Sequence, residues 1–259
     1  MQIHIYQDAD MTGKQAAINA AVWINTCIQE RGKARIVLST GASQFPFFEH
    51  FVQQPIDWAA VEMFHLDEYI GLSESHPASF RKYLKERFAS RVPLGKAYFV
   101  DGDSADVSQS LIRLEQLIAE APLDLGLIGI GENAHIAFND PPADFSARTA
   151  YKIVDLDDDC KTQQVREGWF QDLDHVPKQA ISMTVHGIMS CSKIISVVPH
   201  EVKANAIKRT LESDLTNLIP ATMLKSHADW SLYLDPASAS LLPIRLVAAT
   251  SQYAEAPTK

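Results

Sequence analysis

The sequence predicts an α/β fold built on a parallel sheet with helices packed against it. Three observations predict it. Short apolar runs alternate along the chain with stretches of helical period, the pattern of strand–helix–strand crossovers. The run Leu123 to Ile130 is apolar almost without interruption, as a strand buried on both faces must be. Chemistry-bearing residues cluster just beyond strand ends, where open α/β sheets bind ligands.

Taken in order, Ile3–Tyr6 reads as a first strand. Thr12–Glu30 carries Ala17, Ala20, Ala21, Ile24, Cys27 and Ile28 at helical spacing, with Gly32 as its stop. Ala34–Leu38 is a strand, Ser39–Ser43 a loop, and Pro46–Val52 a helix with proline tolerated in its first turn. Val61–Leu66 is the next strand and ends at Asp67-Glu68. Ser75 is the expected N-cap of a helix bearing Phe80, Tyr83, Leu84 and Phe88. Ala97–Val100 is a strand, and Val107, Leu111, Leu114 and Ile118 form one helical face. After the Leu123 run come a strand at Tyr151–Val154, a helix at Lys161–Phe170, and strands at Ala180–Val185 and Ile194–Val198. Glu201–Leu211 is a helix and Trp230–Leu234 the last strand, followed by a short Ala/Ser-rich helix and a tail of unassigned structure.

A chain of 259 residues, 46% of them hydrophobic, can bury a sizeable core. No repeat, low-complexity segment or linker divides it, so residues 1–259 read as one domain, with 144–178 as a candidate flap over the site. The net charge of −9 argues against nucleic acid as a partner, which needs a basic face. The N-terminus lacks the basic-then-apolar pattern of a signal peptide, and no apolar run is long enough to span a bilayer. Cys27, Cys160 and Cys191 are scattered without metal spacing and read as reduced thiols of a cytoplasmic protein.

Four strand ends carry candidate chemistry. Ser39, Thr40, Gly41, Ala42 and Ser43 form a loop between a buried strand and a helix; it reads as an anion cradle or as an ordinary capped turn. It lacks the lysine of a triphosphate-binding loop. Asp67 follows the Val61 strand and is a candidate general base, or a loop acid capping a helix. His135 follows the Leu123 strand; Asp140 can orient it as carboxylates orient catalytic imidazoles. Asp67, His135 and Asp140 lack a second histidine at ligand spacing, so no metal is assigned. Lys203 opens a helix at another strand end and is a candidate phosphate contact, with Arg148, Lys152 and Arg166 as further cations. There is no nucleophile elbow, and Gly129-Ile130-Gly131 lacks the third glycine of a dinucleotide fingerprint. A carboxylate base, a histidine with an acidic partner and an anion cradle suit proton transfer on a phosphorylated small molecule through its open-chain carbonyl form.

The segments LSTGAS, FHLDEYIGL with HPASF, GIGENAHIAFNDP, HVPKQAISMTV and VKANAIK resemble the successive motifs of the glucosamine-6-phosphate deaminase (isomerase) family, over roughly Leu38 to Leu234. The related 6-phosphogluconolactonases share the glycine-rich strand end, but DEY and IAFND resemble the deaminase branch. The resemblance implies a Rossmann-like three-layer sandwich with a mostly parallel central sheet. It also implies hydrolytic release of ammonium from an aminosugar 6-phosphate to give a ketose 6-phosphate, with no metal or organic cofactor. By motif, Asp67 moves the proton between C2 and C1. His135 opens the sugar ring, supported by Asn133 and Asp140. Thr40 to Ser43 and Lys203 hold phosphate, and Arg166 lies near a family arginine. Many members have aspartate at the place of Asn133 and glutamate at that of Asp140; galactosamine 6-phosphate is therefore a candidate substrate beside glucosamine 6-phosphate. A lactonase and a sugar-phosphate-binding protein without turnover are the alternatives. Pro142-Ala143-Asp144 and Ala150 stand where the allosteric branch keeps a serine segment and an arginine, so activation by N-acetylglucosamine 6-phosphate is not expected. Whether the chain is a monomer or a homo-oligomer is left open by these residues.

Overall fold

The computed structural model describes residues 1–243. Seven strands make the central sheet: β1 (Gln2–Ile5), β2 (Ala34–Leu38), β3 (Val61–His65), β5 (Lys96–Tyr98), β6 (Leu125–Leu127), β9 (Lys193–Val197) and β10 (Trp230–Leu234). Their order is β1-β10-β9-β6-β2-β3-β5, and every neighbouring pair is parallel. The chain winds outward from β2 through β3 to β5, then returns to place β6 on the other side of β2. That reversal opens a crevice between the C-terminal ends of β2 and β6.

Local physics accounts for much of this frame. Helix α1 (Ala9–Arg31) starts at Asp8, whose carboxylate accepts the Met11 N–H at 2.8 Å, and stops at Gly32 in the left-handed region, φ 77°. Its buried stripe is mostly small, with Gly13, Ala16, Ala17, Ala20 and Ala21, which lets it lie close against α2 (Phe45–Phe51). Phe48 and Phe51 of α2 pack against Phe88, Phe51 also against Trp58, and Phe47 stacks on Phe51; burial of each large apolar side chain stabilises the fold by about 1.5–3 kcal/mol. The centre of the sheet is apolar on both faces, as Ile36, Val37, Phe64, Leu125 and Ile194 are all fully buried. Helix α4 (Val107–Ala119) covers one face; the buried Arg35 guanidinium reaches the last carbonyls of that helix and pairs with Glu62 at 3.2 Å.

Several sequence expectations are corrected. The Leu123 run is buried, but only Leu125–Leu127 pairs as strand. Asp67-Glu68-Tyr69 is not a loop at the end of β3. It forms β4 (Asp67–Tyr69), which pairs antiparallel with β8 (Gln179–Met183), and β8 pairs antiparallel with β7 (Tyr151–Asp155). The strands expected near Tyr151 and Ala180 thus belong to a second sheet of three strands, not to the parallel one. Helix α3 (Phe80–Leu84) is capped by Ser79, not Ser75. Ser79 accepts the Lys82 N–H, and the buried Glu68 carboxylate accepts the N–H groups of Phe80 and Arg81. A capping acid from another strand decided which serine begins the helix.

Helix α5 (Asp158–Arg166) starts earlier than its periodicity predicts, behind the Asp157 cap. Helix α6 (Val185–Met189) follows β8, and α7 (Ala204–Glu212) follows a 3-10 turn at Glu201–Lys203. The Ala/Ser-rich segment after β10 is a run of turns held by Asp235 and Ser238, and the tail from residue 244 onward lies outside the described residues.

Candidate active site

A cavity of about 310 Å³ opens at the C-terminal ends of β2, β3, β6 and β9. Ser39, Thr40, Gly41, Ala42, Ser43, Asp67, His135 and Lys203 all line it. Asn133 and Asp140 stand behind His135, in contact with it or its backbone.

The loop after β2 is shaped by Gly41, whose φ of 116° and ψ of 158° lie where side-chain-bearing residues are strained. The Gly41 carbonyl accepts from the Gln44 N–H at 3.0 Å and the Tyr83 hydroxyl at 2.8 Å, which turns it away from its own amide. Among the described residues, no carbonyl or side chain accepts from the backbone N–H groups of residues 40–43. Ser39 is spent on structure: its hydroxyl accepts the Gly129 N–H at 3.1 Å and so ties the β2 loop to the β6 loop.

Lys203, in the turn before α7, lines the same cavity as this loop. It is buried and makes no ion pair among the described residues. Desolvation pulls its ammonium below the usual lysine range, against the opposing field of Glu132 and Glu167. Arg166 pairs with Glu132 at the cavity wall, while Lys152 reaches Asp144 at 3.4 Å and Arg148 only nearby carbonyls. A buried ammonium and free backbone amides lining one cavity both favour an anion within it.

His135 sits on a compact turn after β6. The Gly131 N–H donates to the His135 carbonyl at 2.9 Å, and the His135 N–H donates to Asn133 Oδ1 at 2.9 Å. The imidazole lies over Gly131 so closely that a Cβ there would stand 2.2 Å from Nε2. Its Nδ1 is 2.9 Å from Asp140 Oδ1, a close but bent contact, and Asn133 Nδ2 donates to that same oxygen at 3.1 Å. Asn133 thus joins the histidine backbone to the carboxylate.

The small sheet brings Asp67 to this turn. Asp67 is in register with Ser182 of β8; Ser182 Oγ accepts the Phe138 N–H at 3.0 Å, and Asn139 donates to the Met183 carbonyl at 2.8 Å. One strand therefore holds both the candidate base and the candidate histidine loop.

Environment separates the two carboxyls. Burial, then the charges of Glu68 and Asp140, push Asp67 up from 3.8 to about 8. Burial also pushes Asp140 upward, but contacts with His135, Asn133 and Cys160 outweigh it and hold this carboxyl below the ordinary value. Asp140 is a standing anion beside the imidazole, whereas Asp67 changes charge near neutrality. Carboxyls pushed apart in this way divide acid–base work between them.

The segment 144–178 contributes Gln163, Gln164, Glu167 and Trp169 to the cavity wall, although β7 within it belongs to the small sheet. Sequence reasoning missed these four, and also Glu132, Phe80, Phe138 and His200. They come from separate segments and carry no shared spacing; only the polar, proline-containing character of the flap pointed toward any of them. No group of three or more His, Cys, Asp or Glu side chains among the described residues is placed to hold a metal ion. No helix among them is long and apolar enough to cross a membrane.

Residues 7–232 match the family described as glucosamine-6-phosphate isomerases/6-phosphogluconolactonase. The chain is 32% identical to a glucosamine-6-phosphate deaminase of Lactobacillus delbrueckii subsp. bulgaricus, over 93% of this chain and 100% of that one. It is 37% identical to a glucosamine-6-phosphate deaminase of Latilactobacillus sakei, over 79% of this chain and 86% of that one. Among solved structures, a monomeric glucosamine-6-phosphate deaminase superposes with a TM-score of 0.84 at 28% identity, covering 93% of this chain and 100% of its own. The 6-phosphogluconolactonase of Trypanosoma brucei shares the fold, with a TM-score of 0.76 at 13% identity over 93% of this chain and 98% of its own.

Proposed function

The chain belongs to the family of glucosamine-6-phosphate isomerases and 6-phosphogluconolactonases, and within it we propose that this protein is an aminosugar-6-phosphate deaminase. It converts a 2-amino-2-deoxyhexose 6-phosphate and water to the ketohexose 6-phosphate and ammonium. One observation carries this reading. A single cavity holds a carboxyl pushed up to about 8, a histidine backed by a standing carboxylate, free backbone amides, and a buried lysine that makes no ion pair among the described residues.

The phosphate binds between Lys203 and the amides of residues 40–43, which orients the sugar toward the other end of the cavity. His135 moves the anomeric hydroxyl proton to the ring oxygen and opens the ring; Asp140 favours the tautomer that leaves Nε2 facing the substrate. Asn133 holds Asp140 and the His135 backbone in mutual register. Asp67 then takes the proton from C2 and returns it to C1, converting the amino-aldose to an imino-ketose. Water adds at C2 and the amine leaves as ammonium. Asp67 must be ionised to begin, and the cationic amine of the substrate beside it lowers its proton affinity from the value in the empty cavity.

The test is ammonium release from glucosamine 6-phosphate and from galactosamine 6-phosphate, with 6-phosphogluconolactone as a third substrate. Ammonium from either aminosugar, lost in Asp67→Asn, is the expected result, and the ratio of kcat/KM values assigns the epimer. Acid release from the lactone without ammonium from either sugar overturns the proposal in favour of a lactonase. Ligand-dependent thermal stabilisation without any product overturns it in favour of a binding protein.

A further inference from the structure

His200 is the last residue before the turn that carries Lys203, and it lines the same cavity. Its backbone has φ 81° and ψ 143°, a region occupied almost exclusively by glycine. Ala134 and Ala137 are the other non-glycine residues with positive φ among those described, and both lie in the His135 loop. The strain is locked in place: the His200 N–H donates to both carboxylate oxygens of the buried Asp235, at 3.1 and 3.0 Å, and its carbonyl accepts the Lys203 N–H at 3.0 Å. A chain that needed only the turn would be better served by glycine, which removes the strain and keeps the same backbone hydrogen bonds. The residue is exposed, so no packing in the core accounts for its side chain.

The charges at this end of the cavity give the side chain a task. Arg166 is engaged with Glu132, and Glu132 and Glu167 both act on Lys203, so the side-chain charges there nearly cancel. A phosphate monoester brings excess negative charge and several acceptor oxygens, so a charge-neutral set of side chains gains from a further donor beside Lys203 and the amides of residues 40–43. We propose that His200 is a specificity-determining residue for the phosphorylated end of the substrate, donating a ring N–H to a phosphate oxygen beside Lys203. This inference rests on the deaminase reading for the substrate's identity, but not for its phosphate. The glycine-like backbone is retained with an imidazole on it because the ring improves phosphate binding at a cost in stability.

The experiment compares the full-length chain with His200→Gly and His200→Asn. Asparagine tolerates positive φ better than most residues and keeps an N–H donor. Three quantities are read: inorganic phosphate affinity by calorimetry, the urea midpoint, and KM against kcat for glucosamine 6-phosphate. His200→Gly should raise the urea midpoint, weaken phosphate binding about tenfold and raise KM by a similar factor, more than kcat changes. His200→Asn should recover part of the lost affinity. A glycine variant that gains stability yet binds phosphate as tightly as the parent overturns the assignment, as does a parent chain with no affinity for phosphate. Ammonium release with KM unchanged in His200→Gly removes the role of His200 and leaves the deaminase reading intact. A phosphate-affinity difference without any ammonium release supports the role of His200 and removes the reaction alone.

Discussion

Replacing Asp67 with asparagine should destroy activity and stabilise the protein, increasingly so as pH rises. The carboxyl is buried and pushed from 3.8 to about 8, whereas in the unfolded chain it ionises at its ordinary value. Below that ordinary value both states are protonated and nothing is lost. Above it the unfolded chain gives up the proton while the folded chain keeps it, so native stability falls by about 1.4 kcal/mol per pH unit. The loss levels off only once the folded carboxyl ionises, near pH 8. Asparagine has no such proton to lose. From about pH 5 to about pH 8 the stability of Asp67→Asn relative to the parent should therefore grow by about 4 kcal/mol. The comparison cancels the other titrating groups and any pH-independent cost of seating the amide. Urea unfolding at several pH values, followed by tryptophan fluorescence, measures the difference directly. A stability difference that stays flat across this range refutes the reasoning, because it means that the folded carboxyl ionises as it does in water. In the same preparation turnover should fall by at least about 100-fold, the usual contribution of a positioned base.

Three further substitutions probe other parts of the cavity. Asp140→Asn removes the standing charge beside His135 and one of the charges that raise Asp67; kcat should drop about 100-fold, and the ascending limb of kcat/KM against pH should move to lower pH. An ascending limb that stays in place would separate the two carboxyls. Gly131→Ala puts a methyl group 2.2 Å from His135 Nε2, so the ring must move; turnover should fall by about 100-fold while inorganic phosphate still binds, as calorimetry can read. Lys203→Met replaces a desolvated ammonium with an apolar chain of similar length. KM for the sugar phosphate should rise by about 10- to 100-fold while the ligand-free protein resists urea at least as well as the parent.

Much of the frame was legible because it is written locally. Helical period and a glycine stop define α1, and continuous apolar runs mark β2, β3, β6 and β9. The turn after β2 was legible from Gly41, since only a residue without a side chain adopts that backbone freely. The errors share a different origin. Asp67-Glu68-Tyr69 has little intrinsic preference for a strand and becomes one by pairing with β8, more than a hundred residues away in the chain. Ser75 and Ser79 are equally good caps in isolation; Glu68, buried beneath α3, selects the second. Gly131 reads in the sequence as a strand boundary, but β6 stops at Leu127, and the reason for the glycine is the imidazole lying on it, which no spacing encodes.

Backbone preference, apolar periodicity and the residues at strand ends are properties of neighbours in the chain. They suffice to determine a parallel α/β sheet, the loops at its C-terminal edge, and the residue types those loops carry. Which carboxyl is raised and which is lowered, which strand ties Asp67 to the His135 loop, and which lysine is buried without an ion pair among the described residues depend on groups far apart in sequence. Burial and field strength exist only once those groups are packed together, so only the tertiary structure could decide them.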